Sequence, residues 1–108
     1  PAAQAARCAG DQGKFWEYHD KIFAASDLST TALQQNATDL GLDRTKFDEC
    51  LASDKFAAAI DKDMADAATV GVNGTPAFFV NGRMLSGAQP LEAFKSAIDA
   101  ELVAAPAK

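Results

Sequence analysis

The residues of this 108-residue sequence with the most scope for chemistry are two cysteines and one proline-containing loop. A thiolate is a nucleophile, and two neighbouring thiols can pass a disulfide to another molecule. Cys8 and Cys50 are too far apart in sequence to form a Cys-x-x-Cys redox pair, and two thiols are too few to hold a structural zinc. By their spacing alone they are either paired with each other or idle as small buried hydrophobes. The loop is Gly71-Val-Asn-Gly-Thr-Pro-Ala-Phe-Phe-Val-Asn-Gly82. Pro76 removes one backbone donor at the entrance to a short apolar run, and Asn81-Gly82 closes that run with the strongest two-residue hairpin signal, since both positions of a type I′ turn need positive φ. Read without further context, this is a turn leading into a strand, with Gly71 and Gly74 serving backbone geometry.

Other chemistry-bearing residues are better explained by packing. His19 is the single histidine and lies on an otherwise apolar helical face, the setting of a packed, hydrogen-bonded side chain. Phe15 and Trp16 beside it read as core.

These residues must be positioned by a chain whose pattern changes once. Residues 12 to 25 carry Phe15, His19, Ile22 and Phe23 at helical spacing, predicting a buried aromatic face. A second helix, capped by Ser29 or Thr30, places Leu33, Ala37 and Leu40 together and stops at Gly41. A third starts from Arg44 behind Asp43 and turns Phe47, Cys50 and Leu51 to one side. Residues 54 to 69 form a longer helix with Phe56, Ile60, Met64 and Ala67 in a stripe. Then Pro76 to Val80 and Arg83 to Leu85 read as two strands, and Gln89-Pro90 opens a last helix bearing Leu91, Phe94, Ile98 and Leu102. The tail from Ala104 to Lys108 is expected to fray.

The formal net charge of −5, with acids interleaved among lysines, argues against a nucleic-acid partner or a polybasic membrane surface. No stretch reaches the roughly 18 to 20 consecutive apolar residues of a membrane span. Residues Pro1 to Arg7 lack the charged region and apolar core of a secretory signal.

Phe78 and Phe79 are consecutive and must point to opposite faces of any strand, so both faces need cover and the strand should be central. Only one partner strand is legible, and an isolated hairpin is marginal in water. The sheet is therefore expected to be incomplete in this chain, with an upstream segment of the same protein, or less readily a second chain, pairing with the open edge.

The Gly71 to Gly82 segment resembles the corresponding segment of the DsbA family of thioredoxin-fold thiol-disulfide oxidoreductases. Cys8-Ala-Gly-Asp-Gln-Gly-Lys-Phe-Trp-Glu-Tyr-His-Asp-Lys-Ile-Phe23 is similar to the first helix of that family's inserted helical domain, and Leu40-Gly-Leu-Asp43, Phe47-Asp-Glu-Cys-Leu51 and Ser86-Gly-Ala-Gln-Pro90 extend the match. The resemblance implies an α/β thioredoxin-like fold, with residues 1–70 as the inserted helical domain and 71–108 as its strand-turn-strand-helix half. It implies a cis bond before Pro76, Thr75 offering its backbone to an extended substrate, and Pro76 lying against the redox disulfide. No catalytic residue would lie in this chain, because the family's Cys-x-x-Cys helix precedes the matched region. The resemblance also implies a structural bridge between Cys8 and Cys50, a site in the bacterial periplasm or cell envelope, protein or peptide thiol substrates, a redox partner protein, and no metal or cofactor.

Two alternatives stand beside this reading. Glutathione-using kappa-class transferases and related isomerases share the architecture, but the residue before their cis-proline is typically Val where this chain has Thr75. A non-catalytic thioredoxin-like binding module would differ only in lacking the upstream cysteines.

Overall fold

A computed structural model describes residues 1–105. The element order is α1 (Ala2–Gly10), α2 (Phe15–Ala24), α3 (Thr30–Asp39), α4 (Arg44–Ala52), α5 (Ala57–Thr69), β1 (Ala77–Val80), β2 (Arg83–Ser86) and α6 (Leu91–Ala104). The chain forms two compact units, Pro1–Met64 and Ala65–Lys108, a division that falls inside α5 rather than after residue 70. Of the tail expected to fray, Ala104 closes α6; residues 106–108 lie outside the described residues.

Local chemistry sets several helix ends. The Ser29 hydroxyl accepts from the Ala32 N–H at 3.3 Å and the Asp43 carboxylate from the Lys46 N–H at 3.1 Å, each satisfying a donor left free in a first helical turn. At the end of α3, Gly41 takes φ +75°, its N–H reaching Thr38 O and the Leu42 N–H reaching Ala37 O, which is a Schellman closure.

Helix α1 has no counterpart among the sequence expectations. Its alanines have high helix propensity but give no large-residue periodicity to read. Ala5, Ala6, Cys8 and Ala9 are all buried, and their small side chains let α1 lie close against α2 and α4. Around them the largest fully buried side chains are Tyr18, Phe47, Leu33 and Cys8. The Tyr18 and Phe47 rings sit 5.7 Å apart, and the Tyr18 hydroxyl donates to Leu33 O at 2.8 Å.

The aromatic face of α2 is a correction to the sequence reading. Trp16 and Phe23 are 67% and 78% exposed, while Tyr18, which the periodicity did not single out, is fully buried. At about 100° per residue, Phe15, Tyr18 and Ile22 share one arc of roughly 60°, and Trp16, His19 and Phe23 fall on its flank. The core lies under the first group.

Two further expectations change in α5. It begins at Ala57 rather than residue 54, because Asp54 adopts φ +52° and turns the chain. Of the expected stripe, Phe56 packs against the core and Ile60 is half-buried, but Met64 is 67% exposed and no residue of α5 is fully buried.

Burial pushes the Tyr18 phenol from its ordinary 10.0 up to about 12. An unfolded chain releases this proton near pH 10, so between pH 10 and pH 12 the folded state holds more protons and loses stability as pH rises. The contribution is full below pH 10 and falls by roughly 2 kcal/mol on reaching pH 12. Urea unfolding of the wild type and Tyr18→Phe across this interval should show a steeper decline for the wild type; parallel declines would assign the pH dependence to other groups. At neutral pH the variant should be about 1 kcal/mol less stable, because the hydrogen bond from the Tyr18 hydroxyl to the Leu33 carbonyl is lost.

In the second unit, β1 and β2 are antiparallel, pairing Ala77 with Ser86, Phe78 with Leu85, Phe79 with Met84 and Val80 with Arg83. Asn81 and Gly82 take φ +50° and +85°, as the hairpin signal required. Phe78 meets the Phe94 ring of α6 edge-on at 4.8 Å. On the opposite face Phe79 and Met84 remain 46% and 42% exposed. No described residue of this unit is fully buried, and its sheet has two strands. The opposed phenylalanines are therefore in place, but Phe78 is itself 40% exposed, so neither face is fully covered.

Candidate functional site

The proline loop is carried between α5 and the open edge of the hairpin. Helix α5 ends in a second Schellman closure: Gly71 takes φ +86°, its N–H reaches Ala68 O at 3.1 Å, and the Val72 N–H reaches Ala67 O at 3.1 Å. The chain then turns out of the helix and enters β1. The Thr75–Pro76 peptide bond is cis. Both residues are exposed. The Pro76 carbonyl accepts from the Gly87 N–H at 2.8 Å, which ties the start of β1 to the end of β2. Among the described residues the backbone N–H and C=O of Thr75 have no hydrogen-bond partner. The loop thus presents one free donor and one free acceptor beside a strand edge, the groups an added strand would need.

Cys8 and Cys50 form a disulfide, with Cα atoms 5.9 Å apart. The bond joins α1 to α4, with Cys8 inside the core and Cys50 at its margin. Gln12 supports the same junction: its side-chain oxygen accepts from the Asp43 N–H at 2.7 Å and its amide donates to Asp43 O at 3.1 Å. A side-chain amide here pairs with a peptide group as another backbone would, which gives the Gln12-Gly-Lys motif a structural reason.

His19 is partly buried, with Nδ1 3.0 Å from an Asp20 carboxylate oxygen and its ring stacked on Phe23 at 4.4 Å. Trp16 meets it edge-on at 5.3 Å. These rings form a surface cluster rather than the core expected for Trp16. Its exposure could have been suspected from the sequence only by giving Tyr18 the inward position.

The model of the DSBA-like thioredoxin domain family matches residues 1–99. The chain belongs to that family. The DSBA-like domain also superimposes on the crystal structure of a thioredoxin-like oxidoreductase from Silicibacter pomeroyi DSS-3, with a TM-score of 0.77 and 30% sequence identity, covering 96% of this chain and 61% of that one. The fold is accordingly that of a thioredoxin-like oxidoreductase in which a helical unit precedes a strand-turn-strand-helix unit.

Curated relatives carry a different label. The DSBA-like domain is 44% identical over 98 residues to the Na(+)/H(+) antiporter NhaA 1 of Salinispora arenicola, covering 90% of this chain and 15% of that protein. It is 34% identical over 100 residues to the Na(+)/H(+) antiporter NhaA of Herminiimonas arsenicoxydans, covering 92% and 16%. The DSBA-like domain therefore spans about 15% of the length of these relatives. Among its described residues no helix is long and apolar enough to cross a membrane.

Proposed function

We propose that this domain serves thiol-disulfide exchange with protein or peptide substrates, holding an extended substrate at Thr75 and Pro76 while a Cys-x-x-Cys pair from a preceding segment performs the chemistry. The observation that carries this reading is the exposed, unbonded Thr75 backbone at the open edge of β1 in a chain of this family. A substrate strand docking there gains two main-chain hydrogen bonds whatever its sequence, so the site tolerates many substrates. In the exchange, a substrate thiolate attacks the oxidised pair, a mixed disulfide forms, and the second substrate thiol displaces the protein sulfur. A redox partner protein then restores the pair. The persistence of a Cys8–Cys50 bridge suits an oxidising compartment, which supports a location in the periplasm or cell envelope.

The test is Pro76→Ala in the protein that includes its Cys-x-x-Cys segment. Release of mixed disulfides should slow severalfold and trapped substrate complexes should accumulate on non-reducing gels. Unchanged turnover with no trapped complexes would remove Pro76 from the site.

The antiporter relatives favour a second reading of the context, in which the same exchange domain is one part of a membrane transporter. Mass analysis of the native product from membranes would separate the two, since a product without transporter helices excludes it.

A further inference from the structure

The bridge between α1 and α4 lies at an open cleft of about 660 Å³ whose lining includes both cysteines, Lys46, Lys55, Asp43 and Glu49. Its two sulfurs are not equivalent. Cys8 is 1% exposed and belongs to the buried core, whereas Cys50 is only partly buried. An incoming thiolate meets Cys50 first. The charges around it are mixed: Lys55 is held by Asp11 at 2.7 Å, while the Lys46 ammonium makes no ion pair among the described residues. Such a rim matches a zwitterion, with Lys46 available to a carboxylate and Glu49 to an ammonium group.

We propose that Cys50 is a modification site for a zwitterionic low-molecular-weight thiol of the glutathione class, which opens the bridge from the cleft side. The thiolate attacks the Cys50 sulfur, a mixed disulfide forms there, the original S–S bond breaks, and the electron pair leaves on Cys8 as a thiolate that takes up a proton. A second thiol can then release Cys50 and carry away the two electrons' worth of oxidation as its own disulfide. Because Cys8 sits in the core, opening the bridge loosens the α1 packing that the bridge pins. The Thr75 and Pro76 reading is not required for this step.

The oxidised protein is incubated with reduced glutathione, quenched with an alkylating agent and mapped by peptide mass spectrometry. The first adduct should carry glutathione on Cys50 and the alkyl group on Cys8. Glutathione should react severalfold faster than 2-mercaptoethanol at matched thiolate concentration, and Lys46→Ala should remove most of that advantage. An adduct on Cys8, no adduct until urea unfolds the chain, or equal rates for the two thiols would each overturn the proposal.

Discussion

Phe47→Ala is expected to lower the stability of the helical unit by about 3–5 kcal/mol, toward the upper end of what a single core truncation does. Phe47 is fully buried in α4, and its ring packs beside Tyr18. The remaining buried residues of this core are mostly alanines from α1 and α3, whose methyl groups cannot reach into the vacated space. Tyr18 cannot move to fill it either without giving up its bond to the Leu33 carbonyl. The cavity should therefore persist, adding to the transfer free energy lost with the ring. Urea unfolding followed by far-UV circular dichroism measures the effect. A loss below about 1.5 kcal/mol would mean that the helices collapse onto the gap, and that the core is looser than its burial indicates.

Removing the bridge should have a comparable effect by a different route. Cys8 and Cys50 are 42 positions apart, and closing a loop of that length restricts the unfolded chain by about 4 kcal/mol in the chain-entropy description. The variant Cys8→Ala with Cys50→Ala is expected to unfold at a temperature on the order of 15 °C lower, taking about 3 kcal/mol of realised effect in a unit of this size. Reducing agent should destabilise the wild type to a similar extent and leave the double variant unchanged. The two mutations also report different states, since Phe47→Ala acts on the folded core and the cysteine pair acts largely on the unfolded ensemble. A double variant as stable as the wild type would show that Gln12 and the packing of α1 hold this junction without the bond.

Both predictions concern the helical unit, because that is where the buried side chains are. The second unit has the hairpin and helix of a thioredoxin-like half with no fully buried described residue, and its proposed role is correspondingly at its surface. Exposure on Phe79 and Met84 and an open edge on β1 are features of one strand pair, while Thr75 lies at its entrance. The groups offered to a substrate and the groups that seek further strands thus occur side by side.

Residue types alone read the segment from Gly71 to Gly82 as a turn entering a strand, and the cis bond before Pro76 came only from the family resemblance. Ser29 and Asp43 at helix starts, Gly41 and Gly71 at helix ends, and Asn81-Gly82 at the hairpin were legible directly. Each depends on contacts within a few residues, so the local sequence by itself determined them. The opposed Phe78 and Phe79 likewise announced a strand needing cover on both sides.

What only the tertiary structure decided is which neighbours meet across longer distances. Helix α1 is stabilised by a close approach that its alanines permit but do not signal. The choice of Tyr18 over Trp16 and Phe23 for the core turned on how α2 is rotated against α3 and α4, a matter of a few tens of degrees that an aromatic-rich sequence leaves undetermined. The pairing of Cys8 with Cys50 required their Cα atoms to come within 5.9 Å. Caps and turns are fixed by bonds between near neighbours, whereas burial and cross-links are fixed by where whole helices pack, and that is a property of the folded chain.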